Sequence, residues 1–227
     1  MPVGRAGRIV VGLLAAIALV LVLAQVFLPA IAANRVRARI GKYGTVESVI
    51  VKAWPAVELL WGKADSVKVT AESLRVSSAQ AAKLLWEGRG VGMMSMAVAS
   101  VKEGPLRLHD ASFEKHGDAL KGQAWAAPAD VKAALGEGYE VRILNSSGGQ
   151  VEVSVGGGLF GLKASVDAVA RAQDGKLVVR PLGLLLGGLQ LTLFADPHVR
   201  VEGVGASAVA GAGGVAGYRL TMRASLH

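Results

Sequence analysis

The hydrophobic and polar positions of the chain follow one pattern up to Gly44 and a different one after it. From Ile9 to Asn34 no residue is charged, and 14 of the residues from Ile9 to Leu28 are Leu, Ile, Val or Phe. At roughly −0.3 to −0.6 kcal/mol each, these residues favour insertion into a bilayer by about 4 to 8 kcal/mol. A helix of this length spans about 30 Å, the thickness of the hydrocarbon layer. The segment is therefore predicted to enter a membrane.

Helical periodicity continues beyond the apolar run. Apolar residues recur at three- and four-residue spacing and form one stripe, while basic residues occupy the rest of the helix circumference. The stripe consists of Ala33, Val36, Ile40 and Tyr43, and the basic positions are Arg35, Arg37, Arg39 and Lys42. We predict that the basic side chains contact anionic head groups at the membrane surface, with a solvated helix face as the alternative.

The end of the apolar run allows two alternatives for the N-terminal segment: a retained membrane anchor or a cleaved signal peptide. Residues 30–32 read Ala-Ile-Ala, a small-x-small pattern typical of signal-peptidase sites, and Arg5 and Arg8 form a plausible n-region. Against cleavage, the run exceeds a normal h-region and the helical pattern passes through the cut. We therefore predict a cytoplasmic n-region and a transmembrane or signal-anchor helix in residues 1–28, and one folded domain in residues 29–227. A cleaved, secreted form is the alternative.

The basic residues around the span give a conflicting indication of its orientation. Two of them precede the span and four follow it closely, so the positive-inside count would keep the body of the chain in the cytoplasm. That rule applies weakly to long domains. We favour an extracytoplasmic body, for a reason that comes from the family resemblance below.

After Gly44 the hydrophobic pattern changes to a period of two, which predicts strands. Glycine-bearing turns join several neighbouring strands, and such short links favour antiparallel pairing. The predicted strands are TVESVIVKAW, DSVKVTAESLRV, MSMAVASV, PLRLHDASFE, EVRILN, QVEVSV, LKASVDAVARA, KLVVRP, LQLTLF, HVRVEGV and YRLTMRASL. A glycine-rich hairpin loop is predicted at Gly211–Gly214.

Three short helices interrupt these strands: PAVELLWG, SSAQAAKLLWEG and APADVKAALG, each with a Pro or Ser near its start and a Gly at its end. We see no βαβ alternation, which disfavours a doubly wound fold. The predicted class is α+β and mainly β: a strongly curved antiparallel meander sheet wrapped around a helix, after the N-terminal transmembrane or signal-anchor helix. A closed barrel and a sandwich are the alternatives.

Composition and charge exclude several classes of function. The 227 residues contain no cysteine, which excludes thiolate nucleophiles and Cys-ligated metals. The 30 glycines and 52% apolar residues are typical of a sheet-rich protein with many tight turns. The net charge is +8, and the residues beyond the apolar run keep 23 basic against 17 acidic side chains, a balance that favours anionic surfaces. Nucleic acid is disfavoured as a partner because the basic residues are scattered among acids.

No motif for catalysis is visible. The chain has no G-x-S-x-G elbow, no P-loop and no G-x-G-x-x-G after a strand. The one cluster that raises a suspicion of metal or hydrolase chemistry is RLHDASFEKHGD, and a solvated hairpin explains it equally well. Its titratable members are His109, Asp110, Glu114, His116 and Asp118. We predict no enzymatic activity, no cofactor and no metal.

A set of glycines, prolines and apolar residues has a recognisable order. Pro55, Leu59, Leu60, Gly62, Val67 and Val69 give P-x-x-x-L-L-x-G-x-x-x-x-V-x-V. Together with LPAIAANRVRARIGKYG before it and GQAWAAPADVKAALG after it, this arrangement resembles the LmeA-like family of bacterial envelope proteins. The resemblance covers roughly Pro29 to Pro181.

The resemblance implies an exported, membrane-associated domain that binds phospholipid without bond chemistry. It implies a fold similar to the tubular lipid-binding domains, in which a curved sheet wraps a helix and leaves an apolar groove. On this basis the expected place is the outer face of a bacterial cytoplasmic membrane, in support of envelope glycolipid assembly. The expected partners are membrane phospholipids, with anionic and inositol lipids among the candidates, and the sequence indicates no particular protein partner.

Aliphatic and methionine side chains are the candidates for such a groove, because they replace the apolar contacts that an acyl chain loses when it leaves a bilayer. Ordinary core packing is the alternative for all of them. The candidates are Val36, Ile40, Leu59, Leu60, Met93, Met94, Met96, Leu182, Leu184, Leu185 and Leu186.

Four tryptophans are candidates for contact with the membrane interface, where indole is favoured. Trp61 and Trp86 each follow a Leu-Leu pair and are assigned to the membrane surface; Trp54 and Trp125 are the other two. Core packing is again the alternative. The function hypothesis is phospholipid binding, for shielding or transfer, with a lipid-free envelope scaffold as its alternative.

Overall fold

The computed structural model describes residues 5–136, 138–159, 162–183, 189–210 and 216–227. The described part of the chain is mainly β, with an apolar helix at the N-terminus. Its helices are α1 (Arg5–Ile40), a 3₁₀ helix (Ala56–Trp61), α2 (Ser78–Glu87) and α3 (Pro128–Leu135). Its strands are β1 (Gly44–Lys52), β2 (Ala64–Arg75), β3 (Val91–Glu103), β4 (Leu106–His116), β5 (Ala119–Ala126), β6 (Tyr139–Ser147), β7 (Gln150–Leu159), β8 (Leu162–Gln173), β9 (Lys176–Pro181), β10 (Leu191–Phe194), β11 (Val199–Ala210) and β12 (Ala216–Leu226).

The strands form two sheets instead of the single meander that we predicted. The first sheet has seven strands in the order β1-β2-β3-β4-β5-β12-β11, and the second has five in the order β10-β9-β8-β7-β6. The chain leaves the first sheet after β5, builds the whole second sheet as a meander, and returns to the first with β11 and β12. The predicted turns at residues 115–118, 146–149 and 173–176 all join antiparallel neighbours. The predicted loop Gly211–Gly214 lies outside the described residues.

The pairing of β2 with β3 is parallel, which corrects two predictions: that all neighbours are antiparallel and that no βαβ unit occurs. The residues between these strands contain α2, whose N-cap Ser77 and Gln80 form a reciprocal capping box. A parallel return needs a crossover of about a dozen residues or more, and a helix usually supplies it. The capped helix SSAQAAKLLWEG therefore serves as a crossover between β2 and β3.

The second half of α1 is part of the folded body. Ile40 is 8% exposed and lies in a core with Val67 and Val69 of β2 and Val98 of β3, while Val36 packs against the same cluster. The apolar stripe that we predicted from the sequence is thus the surface that α1 lays on the first sheet. The main contacts of α1 are with β1 and the 3₁₀ helix.

The second sheet meets the first at the edge strand β11. The amide of Val201 donates a hydrogen bond to the carbonyl of Gly175, and the amide of Val204 donates to that of Gly149. Gly149 and Gly175 belong to the turns of the β6–β7 and β8–β9 hairpins, so two hairpin ends abut the edge strand. Because an edge strand presents unpaired backbone groups, these contacts protect β11 from pairing with another chain.

One charged side chain is buried among the described residues. Lys115 on β4 is 1% exposed, and its ammonium donates to two carbonyl oxygens. One belongs to Arg89 in the connection from α2 to β3, and the other to Val91, the first residue of β3. Burial lowers the pKa of Lys115, and the nearby carboxylate of Asp118 opposes that shift. The lysine therefore ties the end of the crossover connection to the sheet.

Replacing Lys115 by methionine is expected to lower the free energy of unfolding by about 1–3 kcal/mol. The apolar side chain fills similar space but leaves the carbonyls of Arg89 and Val91 without their donor. Thermal unfolding in detergent measures the effect. Lys102→Met on β3, where the lysine is exposed, is the matched control and is expected to stay within about 0.5 kcal/mol of the wild type. Equal stability of the two variants would contradict the tying role.

Candidate functional site

The polar residue inside the apolar run, Gln25, attaches α1 to the body. Its side-chain amide donates a hydrogen bond of 2.9 Å to the carbonyl oxygen of Ala53, and its carbonyl oxygen accepts one of 2.8 Å from the amide of Ala56. Ala53 and Ala56 belong to the connection between β1 and β2. Ala53 and Ala56 are both buried, and buried backbone groups need hydrogen-bond partners. Gln25 supplies one donor and one acceptor to them.

Residues 53–62, which we call the tryptophan loop, expose large apolar side chains beside this attachment. Trp54 is 75% exposed, Leu60 is 66% exposed and Trp61 is 70% exposed. The Trp54 amide donates to a carboxylate oxygen of Asp65 at 2.7 Å, and Gly62 ends the 3₁₀ helix with φ at +72°. The loop is therefore held by hydrogen bonds at its base while its apolar side chains point away from the core.

The basic residues predicted to contact head groups lie on the exposed side of α1 and, for Lys42, just beyond its C-terminal end. Arg37 donates to the carbonyl oxygen of Glu47 at 2.8 Å, and Arg39 pairs with the carboxylate of Glu87 at 2.8 Å. Both of these groups thus have partners in the body. Arg35 and Lys42 are exposed.

The predicted groove residues separate into two groups. Val36, Ile40, Leu59, Met94 and Met96 come together in the core between α1, the 3₁₀ helix and the first sheet. That packing agrees with the core alternative of the sequence analysis. Leu60, Met93 and Leu182 are instead exposed, in three different parts of the fold. Leu184, Leu185 and Leu186 lie outside the described residues.

The second sheet carries a larger apolar surface, which sequence reasoning did not assign to the site. Residues directly opposite each other in paired strands share one face of a sheet. The registers of β6 to β10 place aliphatic residues from all five strands on a single face. This aliphatic face consists of Val141, Ile143, Val151, Val153, Val155, Val166, Ala168, Ala170, Leu177, Val179 and Leu191.

Most of the aliphatic face is only partly covered. Val151 and Ala168 are buried, Val166 is 37% exposed, Leu191 is 62% exposed, and the other members are half-buried. At the β10 edge, Leu189 and Leu193 are also exposed. The opposite face of the same strands is mostly polar and includes residues such as Arg142, Ser154 and Asp167. The period-two alternation of QVEVSV carries this signal, but only the strand pairing reveals how much apolar surface it creates.

Two clefts among the described residues are less apolar than the aliphatic face. The larger, of about 540 Å³, lies between the first sheet and the β6–β7 hairpin and is lined by groups such as Glu114, Lys121, Ser146, Thr221 and Arg223. The smaller, of about 380 Å³, lies between α3 and β6. The lining of the larger cleft suits water or a polar group better than an acyl chain.

The remaining aromatic and histidine candidates pack within the body. The ring of Trp86 lies 4.3 Å from the ring of His198 and 4.5 Å from the guanidinium carbon of Arg89. Its half-buried stacking position differs from the exposed position of Trp61, although both were assigned to the membrane surface. The Trp125 ring lies edge-on to His109 at 5.3 Å, and its buried indole nitrogen has no hydrogen-bond partner among the described residues.

The histidine cluster is dispersed along β4. His109 pairs with Asp130 of α3 at 2.8 Å, and not with the acids beside it in sequence. Within the described ranges, no three His, Asp or Glu side chains come close enough together to hold a metal ion.

By length and composition, α1 fits a membrane crossing. Within the part of the chain that the structure describes, Val20–Ile40 is the one segment long and apolar enough, with a mean hydropathy of 1.4. These properties suit a membrane anchor and a signal sequence alike.

Comparison with known proteins assigns neither a family nor a function. No protein-family model matches the chain, and no curated protein and no solved structure matches it.

Proposed function

We propose that the chain is a membrane-anchored, non-enzymatic phospholipid-binding protein that shields or transfers lipid at the outer face of a bacterial cytoplasmic membrane, in support of envelope glycolipid assembly. In this proposal α1 is a retained single-pass anchor and acyl chains lie on the aliphatic face of the second sheet. The observation that carries the proposal is the partly exposed aliphatic face in a chain with an apolar N-terminal helix.

The energetics of lipid transfer favour such a surface. Burial of an acyl chain is worth about 0.8 kcal/mol per CH₂, so a sixteen-carbon chain leaves a bilayer at a cost on the order of 12 kcal/mol unless other apolar contacts replace the lost ones. This face supplies such contacts, because nine of its eleven aliphatic side chains are half-buried or exposed. A partly exposed apolar surface that continues over five strands is typical of a binding site.

We also propose that the fold is a curved sheet wrapped around a helix. The contacts of α1 with β1 and the 3₁₀ helix support it, and so does the resemblance to the LmeA-like family. The extracytoplasmic orientation rests on that resemblance alone, because the positive-inside count points the other way.

Replacing Val166 by aspartate is expected to reduce the phospholipid that co-purifies with the full-length protein by at least about tenfold. An acyl chain that covers this position has to desolvate the carboxylate, at a cost well above the 1.4 kcal/mol that corresponds to a tenfold change. Native mass spectrometry of the detergent-released protein, with lipid analysis of the same sample, measures the bound phospholipid.

The neighbouring residue supplies a matched control. Ser165 is exposed and lies on the opposite face of the same strand, so Ser165→Asp adds the same charge away from the aliphatic face and is expected to keep the lipid. A wild-type protein that carries no phospholipid would overturn the proposal and favour the lipid-free envelope scaffold. Equal lipid loss in both variants would contradict the assignment to the aliphatic face.

A further inference from the structure

Gln25 joins the tryptophan loop to the apolar run of α1. The loop therefore lies beside this run at the same position along the helix axis. Both hydrogen bonds of Gln25 are made to the loop backbone, at Ala53 and Ala56. The helix residues on either side, from Leu23 to Phe27, include apolar side chains that are themselves exposed. The body therefore begins alongside the apolar run and not beyond its end.

Helix geometry gives the depth of this attachment. A helix rises 1.5 Å per residue, so a span that starts at Ile9 fills the roughly 30 Å hydrocarbon layer at about Leu28. Gln25 then lies only about 5 Å inside the hydrocarbon boundary. Its hydrogen bonds bring Ala53 and Ala56 to that depth, which is the zone where tryptophan is enriched.

The composition of the loop suits this zone. Trp54, Leu60 and Trp61 are its exposed large side chains, and Glu58 is its one ionisable residue. The exposed lysines Lys52 and Lys63 flank it on both sides, which places positive charge next to the head groups of an anionic leaflet.

We propose that the tryptophan loop is a second membrane-contact element, inserted into the same leaflet from which α1 emerges, with Gln25 fixing its depth. Its occupant is the phospholipid bilayer: indole rings and Leu60 enter the interface, and the flanking lysines face the head groups. Two separate contacts, one helix and one loop, then hold the body against the membrane in a defined orientation. This inference rests on the insertion of α1 and is independent of lipid held by the second sheet.

The absence of cysteine from the chain permits a direct test by site-directed spin labelling. Full-length Leu60→Cys and Trp61→Cys carry the label in the loop, and the protein is reconstituted in vesicles of phosphatidylcholine and phosphatidylglycerol. Phe27→Cys, exposed on α1 close to Gln25, reports a position in the bilayer. Leu144→Cys, exposed on β6, reports a position on the body.

Collision of the label with oxygen and with a water-soluble nickel chelate distinguishes the outcomes. The loop labels are expected to resemble Phe27→Cys, with a several-fold higher ratio of oxygen to nickel accessibility than Leu144→Cys. Loop labels as accessible to nickel as Leu144→Cys would overturn the inference. Low accessibility to both reagents would also overturn it, because it indicates a covering protein surface. Phospholipid co-purification with Val166→Asp is measured separately, so failure of one proposal does not imply failure of the other.

Discussion

Replacing Ile40 by aspartate is expected to unfold the body of the protein, with a loss of more than about 4 kcal/mol of stability. Ile40, at the end of α1, is buried against the first sheet, and a carboxylate there has neither water nor a cationic partner in the surrounding cluster of hydrophobic residues. For a chain of this size, such a loss corresponds to a fall in the melting temperature of at least about 8 °C. Thermal unfolding of the detergent-solubilised protein measures it.

Ala38 provides the control for this variant. It lies on the exposed side of the same helix turn, so Ala38→Asp adds the same charge near the helix end without entering the core. Its expected cost is below about 1 kcal/mol, from the unfavourable position of an acid near a helix C-terminus. Similar stability of Ile40→Asp and the wild type would show that α1 is an appendage and not part of the body.

Local sequence rules predict much of the fold because strand alternation and helix caps are local properties. The alternation in TVESVIVKAW and DSVKVTAESLRV predicts β1 and β2, and the serine cap predicts α2. β5 is missed because its period-two positions include Gly122 and Ala124, which are too small to give a hydrophobic signal. The segment that begins at Pro55 is a 3₁₀ helix of only six residues.

The pairing of strands is not a local property, and it accounts for the errors in the predicted topology. A parallel β2–β3 pair and an antiparallel one have the same alternation, so the pattern alone does not distinguish them. The division into two sheets also depends on distant pairings, such as β5 with β12. Nothing in the sequence near Ala126 indicates that the next five strands build a separate sheet.

The candidate site also depends on contacts between residues that are distant in the sequence, and these contacts could not be predicted. Trp61 is exposed, and its assignment to the membrane surface stays a prediction. Trp86 instead stacks on His198, a residue more than a hundred positions away. Gln25 reads in the sequence as a tolerated polar residue within an apolar run. Its role depends on Ala53 and Ala56, which only the fold brings to it.

Placing two arginines in the middle of the apolar run is expected to remove the protein from the membrane. Each arginine costs about 2.5–3.5 kcal/mol at the centre of a span, so Val20→Arg/Leu21→Arg offsets most of the about 4–8 kcal/mol that favours insertion. Both side chains are exposed in the structure, so the body loses no packing. Extraction of cell membranes with alkaline carbonate measures the membrane-integrated fraction, which is expected to fall to a small part of the wild-type value.

Asn34→Arg/Ala38→Arg adds the same two charges on the exposed side of α1, beyond the apolar run, and is expected to remain carbonate-resistant. The retained wild-type protein is also expected to keep its full mass of 23.3 kDa. Cleavage after Ala32 would remove Gln25 together with its two hydrogen bonds to the tryptophan loop. Carbonate resistance of Val20→Arg/Leu21→Arg would contradict α1 as the anchor, since the tryptophan loop contributes only a few interfacial side chains and does not span the bilayer.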